Sequence, residues 1–134
     1  MKTNSIISAV VCLVLCMSIC PSCSNPFDHN TSISVHETHH SYQFSASYDK
    51  NSTRKVQQYI NRSTEPNGLF DSDEDYYFTA NTSLEDGTKF YIKESPGKLE
   101  IKFDKQENSG ASYNRIKKMC EGIKTILAGK QTDQ

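Results

Sequence analysis

Apolar and polar side chains alternate along the chain in short segments, and this pattern predicts four β-strands. In the first segment, from Tyr42 to Tyr48, an apolar or aromatic residue recurs at every second position with Gln or Ser between. Such alternation is typical of a strand that buries one face. Three later segments also have strand-forming composition, namely Tyr76 to Ser83, Lys89 to Lys93, and Leu99 to Phe103.

The three later strands are separated by two tight-turn signals, which predict an antiparallel meander. Asp86-Gly87 is a strong hairpin signal because both residues tolerate the positive φ of a two-residue turn. Ser95-Pro96-Gly97-Lys98 places proline and glycine where a type II turn needs them. Strands that follow each other through such short turns pair with their sequence neighbours.

Two segments have the apolar spacing of helices. The first contains Val56, Tyr59 and Ile60, with Ser52 or Thr53 as a capping residue and Pro66-Asn67-Gly68 as a stop signal. The second helix is capped by Asn108 or Ser109, and Gly129 follows its end. Gly122 lies inside it, and we expect close packing on the sheet to explain this glycine. Its apolar residues recur at steps of three and four, at Tyr113, Ile116, Met119, Cys120, Ile123, Ile126 and Leu127.

The order strand, helix, three strands, helix predicts an α+β domain over residues 41–129. We expect a two-layer sandwich with a four-stranded, largely antiparallel sheet and both helices on one face. The pattern does not decide which edge of the meander receives the first strand. Residues 130–134 are predicted to be a disordered tail.

The first 22 residues have the pattern of a signal peptide. Lys2 supplies the positive charge, and Ile6 to Ile19 form an apolar stretch interrupted only by Ser8 and Ser18. At ~1.5 Å per residue this stretch reaches about 21 Å, which is short of the ~30 Å hydrocarbon core that a spanning helix must cross. We therefore expect an exported protein.

A cysteine in the segment Ser22-Cys23-Ser24-Asn25 follows the apolar stretch and precedes polar residues. Over residues 1–25 the sequence resembles bacterial lipoproteins, whose signal peptide is cut just before a cysteine that receives lipid. The resemblance implies lipid attachment at Cys23, with palmitate as a typical acyl chain, and a membrane-anchored protein in the bacterial cell envelope. Ordinary cleavage near Cys20–Cys23 and secretion is the alternative, in which a Cys23–Cys120 disulfide becomes available.

Residues 23–40 are predicted to be a flexible tether because they contain few apolar residues to offset the entropy of ordering. His36, His39 and His40 lie near its end, and neutral imidazoles suit zinc or copper. Adjacent side chains of an extended chain diverge, however, and no predicted element holds these histidines. We expect a solvated linker, with a metal-binding envelope protein as the alternative.

Three acidic residues at Asp71, Asp73 and Asp75 have the spacing of the first ligands of a calcium loop. That loop requires glycine at its sixth position and glutamate at its twelfth. Tyr76 and Thr82 occupy these positions, which excludes an EF-hand. The acidic run is therefore interpreted as a solvated loop.

The remaining composition excludes several classes of protein. The chain has 134 residues and a net charge of −1, and this nearly neutral mixture offers no electrostatic footprint for nucleic acid. Cys120 lies on the apolar stripe of the last helix, which indicates a buried thiol rather than a nucleophile. No histidine lies beyond residue 40 to act as a base. We expect a protein without enzymatic activity or cofactor.

The face of the sheet turned away from the helices is the remaining candidate for function. If Phe78 and Phe90 point inward, Tyr77 and Tyr91 point outward and offer flat contact area with hydroxyl groups to a partner. We expect binding of a protein or envelope component there. An inhibitor or immunity-type lipoprotein and a merely solvated antiparallel face are the alternatives. The other residues predicted on this face are Thr79, Asn81, Lys89, Lys93, Glu100 and Lys102.

Overall fold

An antiparallel sheet and two helices make up residues 30–71 and 77–129, the part of the chain that the computed structural model describes. The predicted α+β class with two helices is therefore confirmed. A 3₁₀ turn at Lys50–Ser52 precedes the first helix. In chain order the elements are β1 (Ser32–Glu37), β2 (Ser41–Ser47), α1 (Thr53–Ser63), β3 (Phe78–Ser83), β4 (Lys89–Ser95), β5 (Lys98–Asp104) and α2 (Gly110–Leu127).

Several predictions concern residues outside the described ranges. They are the signal peptide at 1–22, lipid attachment at Cys23, the acidic residues Asp73 and Asp75, and the tail at 130–134. Asp71 is described and is exposed. Neither α1 nor α2 is long and apolar enough to cross a membrane.

Strand β1 shows that the prediction of a four-stranded sheet is wrong, because the described sheet has five strands. β1 is formed by residues 32–37, which the composition predicts to be part of a tether, so the ordered domain begins before residue 41. It pairs antiparallel with β2, with Ser32 opposite Ser47 and Glu37 opposite Tyr42. A turn at Thr38 reverses the chain, and the Thr38 hydroxyl accepts a hydrogen bond from the Ser41 backbone nitrogen at 3.0 Å. Backbone pairing to a neighbouring strand stabilises β1, and a composition argument does not detect it.

The strands lie in the order β1-β2-β5-β4-β3. This order shows which edge of the meander receives the strand at Tyr42 to Tyr48, a point that the sequence left open. β2 pairs with β5, the last strand of the meander, and β1 then extends the sheet beyond β2. The meander itself is as predicted, with β3 paired to β4 and β4 to β5. β1 and β3 are consequently the two edge strands.

Both helices cover the same face of the sheet, and one apolar core fills the space between the layers. Alternate residues of β2, β4 and β5 are buried, in agreement with the period of two in the sequence. Burying each large apolar side chain contributes roughly 1.5–3 kcal/mol, so this face supplies most of the driving force for folding. Residues that are almost fully buried in the core include Phe44, Ile92, Ile101, Phe103, Val56, Ile60, Ile116, Cys120 and Ile123.

Gly97, in the hairpin between β4 and β5, joins the sheet to the start of α1. Its φ of 77° favours glycine, and a Cβ atom there would lie 2.6 Å from the Tyr48 carbonyl oxygen. The Gly97 nitrogen donates to the Thr53 hydroxyl at 2.9 Å, and its oxygen accepts from the Tyr48 nitrogen at 2.8 Å. Thr53 therefore bonds the hairpin, whereas Ser52 at the N-cap makes no side-chain capping bond.

A polar contact inside the core also holds α1 on the sheet. Glu94 lies on the inward face of β4 and is 2% exposed, and the Gln57 amide of α1 donates to its carboxylate at 2.8 Å. A buried carboxylate requires such donors because its desolvation is costly. The loop after α1 is held in a similar way by Asn61, whose side-chain oxygen accepts from the backbone nitrogens of Leu69 and Phe70 at 2.8 and 2.9 Å.

Gly122 of α2 permits the two helices to touch. A Cβ atom at this position would lie 1.8 Å from the hydroxyl oxygen of Tyr59 on α1. The glycine is thus explained by close packing, but the prediction that it packs on the sheet is wrong, because its neighbour is the other helix. Tyr59 can lie across α2 only because residue 122 has no side chain.

We expect Gly122→Ala to destabilise the domain, although alanine is the better helix former by ~1 kcal/mol. The added methyl group would overpack the contact with Tyr59, and such overpacking costs about 1–3 kcal/mol. The measurement is the urea midpoint of unfolding, with Gly110→Ala as the control. Gly110 also lies in α2 but has open space around its Cβ position, so that variant should be neutral or stabilised. A Gly122→Ala protein as stable as the Gly110→Ala protein would contradict the packing interpretation.

Candidate functional site on the open face of the sheet

The face of the sheet turned away from the helices, here called the open face, is built by every second residue of each strand. Neither helix of the described ranges covers it, because both pack on the opposite face. Its side chains are mostly polar, and serine is the most frequent residue. By strand, the outward residues are Ser32, Ser34 and His36; Ser41, Gln43, Ser45 and Ser47; Lys98, Glu100, Lys102 and Asp104; Lys89, Tyr91, Lys93 and Ser95; and Thr79, Asn81 and Ser83.

The antiparallel register aligns these residues in rows that cross the strands. Directly opposite residues of an antiparallel pair lie on the same face, with Cβ atoms ~4.5–5.5 Å apart. Each row therefore places polar groups from different strands within reach of a single ligand. The first row is Ser32, Ser47, Lys98 and Ser95; the second is Ser34, Ser45, Glu100, Lys93 and Thr79; the third is His36, Gln43, Lys102, Tyr91 and Asn81.

One shallow groove on the open face, here called the tyrosine groove, has a volume of about 470 Å³ and includes Tyr91 in its lining. Tyr91 is half-buried and lies opposite Lys102 and Asn81. The Lys102 ammonium lies 5.3 Å from the centre of the Tyr91 ring, close enough for a cation–π contact. Tyr91 thus faces outward, as its alternation with Phe90 and Ile92 predicts.

A second groove, here called the serine groove, has a volume of about 330 Å³ and crosses the β1 side of the sheet. Glu100 in this groove forms an ion pair with Lys102 at 3.1 Å. Lys93 and Lys98 have no ion-pair partner within the described part of the chain, and both are exposed. The polar side chains of the lining are Ser32, Ser34, Ser45, Ser47, Ser95, Lys93, Lys98 and Glu100.

Tyr77 and Tyr91, the two predicted partner-binding residues, do not form one patch. Tyr77 precedes β3 and is 82% exposed. The strand partner of Tyr91 is Asn81, four residues further along β3. At ~3.3 Å per residue this separates the two tyrosines by about 13 Å along the sheet. Tyr91 lines the tyrosine groove and Tyr77 does not.

Much of the serine groove was not predicted, because β1 was interpreted as a tether. Ser32 and Ser34 reach the open face only through the pairing of β1 with β2. The signal that indicates this strand is the alternation of Ser32 and Ser34 with Ile33 and Val35. That alternation is short, and it lies in a segment of otherwise polar composition.

The three histidines that suggested a metal site are divided between two places. His36 lies on the open face of β1, whereas His39 and His40 lie in the turn before β2, where their ring centres are 6.3 Å apart. His40 is engaged through its Nδ1 atom, which lies 2.9 Å from the Gln106 amide nitrogen. Within residues 30–71 and 77–129, no three or more histidine, cysteine or acidic residues are grouped to hold a metal ion.

Glu37, at the end of β1, connects the edge of the sheet to α2. The Lys105 ammonium lies 2.7 Å from its carboxylate, the Tyr113 hydroxyl donates to the same oxygen, and Lys117 approaches to 3.8 Å. These contacts lower the pKa of Glu37 to about 2, chiefly through the hydrogen bonds from Lys105 and Tyr113. Lys105 also lies over the Tyr113 ring, 4.7 Å from its centre.

The predicted buried thiol is confirmed at Cys120, which is fully buried. Burial raises the pKa of the Cys120 thiol to about 12. Burial is also the main reason why the pKa of the neighbouring Tyr42 hydroxyl lies above its ordinary value. A thiol that stays protonated at neutral pH is a poor nucleophile, so Cys120 contributes packing to the core.

Comparisons of the chain with protein-family models, with curated proteins and with solved structures give no match.

We expect the contribution of Glu37 to stability to depend on pH. Its folded-state pKa, about 2, lies below the ordinary value of 4.5, so its carboxylate stabilises the fold above pH 4.5 and this contribution is lost as the pH falls towards 2. Glu37→Gln should therefore reduce the free energy of unfolding most at neutral pH and progressively less between pH 4.5 and 2. Urea unfolding at several pH values measures the difference, with Glu85→Gln at an exposed position as the control. A difference that is independent of pH would contradict the proposed role of the charge.

Proposed function

We propose that this chain is an exported, lipid-anchored protein without enzymatic activity that binds a component of the cell envelope through the open face of its sheet. The observation that carries this proposal is the one-sided packing of the sheet. Both helices lie on one side, and the tyrosine groove and the serine groove lie on the other. Protein, glycan and other envelope components remain within the proposal.

Anchoring is supported by the segment Ser22-Cys23 after the apolar stretch, and the domain begins a short distance along the chain from it. The ordered sheet begins at Ser32, so only residues 24–31 separate it from the proposed lipid. At ~3.3–3.6 Å per residue, Cys23 and Ser32 are at most about 30 Å apart. A domain held this close to the membrane meets envelope components at the membrane surface.

We infer that the protein has no catalytic activity from the state of the side chains that could act as a nucleophile or a base. Cys120 is buried in the core and its thiol has a raised pKa, so it is neither accessible nor ionised at neutral pH. The open face carries lysines, serines and a tyrosine but no nucleophile paired with a base in its described part. His36, its one histidine there, lies opposite Gln43, which cannot activate it.

We expect Cys23→Ala to release the protein from membranes, because stable anchoring takes the acyl chains that this cysteine would carry. Cys120→Ala is the control, since Cys120 is the other cysteine outside the predicted signal peptide and its loss should leave the protein in the membrane fraction. Fractionation of the producing cells measures the distribution, and intact-mass analysis detects the lipid. An unmodified N-terminus at any residue near 21–24 would show that the anchoring proposal is wrong.

Binding through the open face predicts that Tyr91→Ala weakens partner binding without unfolding the domain. Exposed aromatic anchors contribute ~1–3 kcal/mol to binding when they are hot spots. The measurement is photo-crosslinking in producing cells, with the reactive residue placed at Gln43 on the open face and, as the control, at Lys118 on the exposed side of α2. Crosslinks should form from Gln43 alone and should decrease in Tyr91→Ala and in the Tyr77→Ala/Tyr91→Ala double variant.

A core variant separates loss of binding from loss of folding in that experiment. Phe103→Ala should cost ~3–5 kcal/mol and unfold so small a domain, whereas the tyrosine variants should keep the native circular dichroism spectrum. Crosslinks that form equally from Gln43 and Lys118, or that survive the double tyrosine variant unchanged, would contradict binding at the open face.

A further inference from the structure

We propose that the ligand of the open face is an acidic carbohydrate polymer that lies across the serine groove. This inference rests on the proposed function and specifies the component that the face binds. The polymer's hydroxyl groups would bond the serines, and its carboxylates would meet the Lys93 and Lys98 ammonium groups. Three properties of the groove support this class of ligand over a protein.

The first property is the composition of the open face. The centres of protein–protein interfaces are enriched in aromatic residues, Met and Arg and depleted of Lys and Ser. The described open face has the opposite composition, since Ser and Lys predominate and Tyr91 is its one aromatic residue. A protein partner would meet few of the aromatic and arginine side chains that anchor such interfaces.

The second property is an excess of positive charge in the serine groove. Glu100 is the one acidic residue in the serine groove, and its carboxylate is paired with Lys102 at 3.1 Å. Lys93 lies opposite Glu100, but neither Lys93 nor Lys98 forms an ion pair in the described ranges. Two lysines thus share the groove with one carboxylate that is already paired. Carboxylates of a bound polymer would supply the missing partners.

The third property is the arrangement of hydroxyl groups around Lys98. Lys98 lies in a row that crosses four neighbouring strands, with Ser47 and Ser32 on one side of it and Ser95 on the other. With strands ~4.8 Å apart, this row is about 14 Å long. A serine hydroxyl both donates and accepts hydrogen bonds, as a sugar hydroxyl does. Serines on both sides of the Lys98 ammonium group therefore suit a polymer of sugars that carry carboxylates.

The test uses the full chain and fluorescent oligogalacturonate as the acidic probe, with fluorescence anisotropy as the measurement. Neutral oligogalactose of the same length and polyglutamate of the same charge are the comparison probes. We expect oligogalacturonate to bind at least about tenfold more tightly than either, a difference of ~1.4 kcal/mol. Binding should weaken as salt is added, because ions screen contacts between exposed charges.

Two pairs of matched variants locate the site. Lys93→Gln/Lys98→Gln should reduce the affinity for oligogalacturonate by about tenfold or more. Lys55→Gln/Lys118→Gln makes the same change of charge at exposed positions on the helices and should change it by less than about twofold. Ser45→Ala/Ser47→Ala should weaken oligogalacturonate binding but not any residual polyglutamate binding, since only the saccharide uses the hydroxyl groups.

The outcomes that overturn the inference are separate from those that overturn the proposed function. No binding of oligogalacturonate, equally tight binding of polyglutamate, or equal losses in both lysine pairs would each show that the carbohydrate inference is wrong. If the molecule crosslinked to Gln43 is nevertheless a protein, the open face still binds a partner and only the inferred class of ligand is wrong. If no crosslink forms from Gln43 and oligogalacturonate does not bind either, the proposed function and the carbohydrate inference are both wrong.

Discussion

Two helices bury one apolar face of the sheet, and the rest of the structure depends on this packing. Where the helices meet, Gly122 of α2 has no side chain and leaves room for Tyr59 of α1. The apolar residues of β2, β4 and β5 are buried beneath them, and the alternate residues are left on the other side. The buried face and the open face are consequences of a single packing arrangement.

The buried face contains polar groups that determine how α1 sits on the sheet. Gln57 donates to Glu94 within the core, and Thr53 accepts from the hairpin at Gly97. Buried hydrogen bonds of this kind add modest net stability, but a buried polar group left without its hydrogen bond lowers the stability considerably. These bonds therefore favour one position of α1 on the sheet over its alternatives. The open face has no comparable constraint, and its side chains are available to a ligand.

Strand β1 extends both faces at once. Its inward Glu37 reaches Lys105 and Tyr113, and so attaches the edge of the sheet to α2. Its outward Ser32 and Ser34 complete the serine groove. A segment with little apolar content therefore contributes to stability through an ion pair and to the candidate site through hydroxyl groups. The connection from β1 to Cys23 is short, so the proposed lipid anchor lies close in the chain to the proposed binding face.

The sequence by itself determined the local elements of this protein, because they depend on short-range properties. The period of two from Tyr42 to Tyr48, the turn at Gly97 and the apolar stripe of α2 each specify an element and its buried side. Only the tertiary structure decided how these elements combine. The pairing of β2 with β5 and the contact of Gly122 with Tyr59 join segments that are distant in the chain, and no local pattern encodes them. The strand at residues 32–37 has a short alternation of its own, but its pairing with β2 is seen only in the tertiary structure. The serine groove belongs to this second group, since its hydroxyl and ammonium groups meet only through the register of four strands.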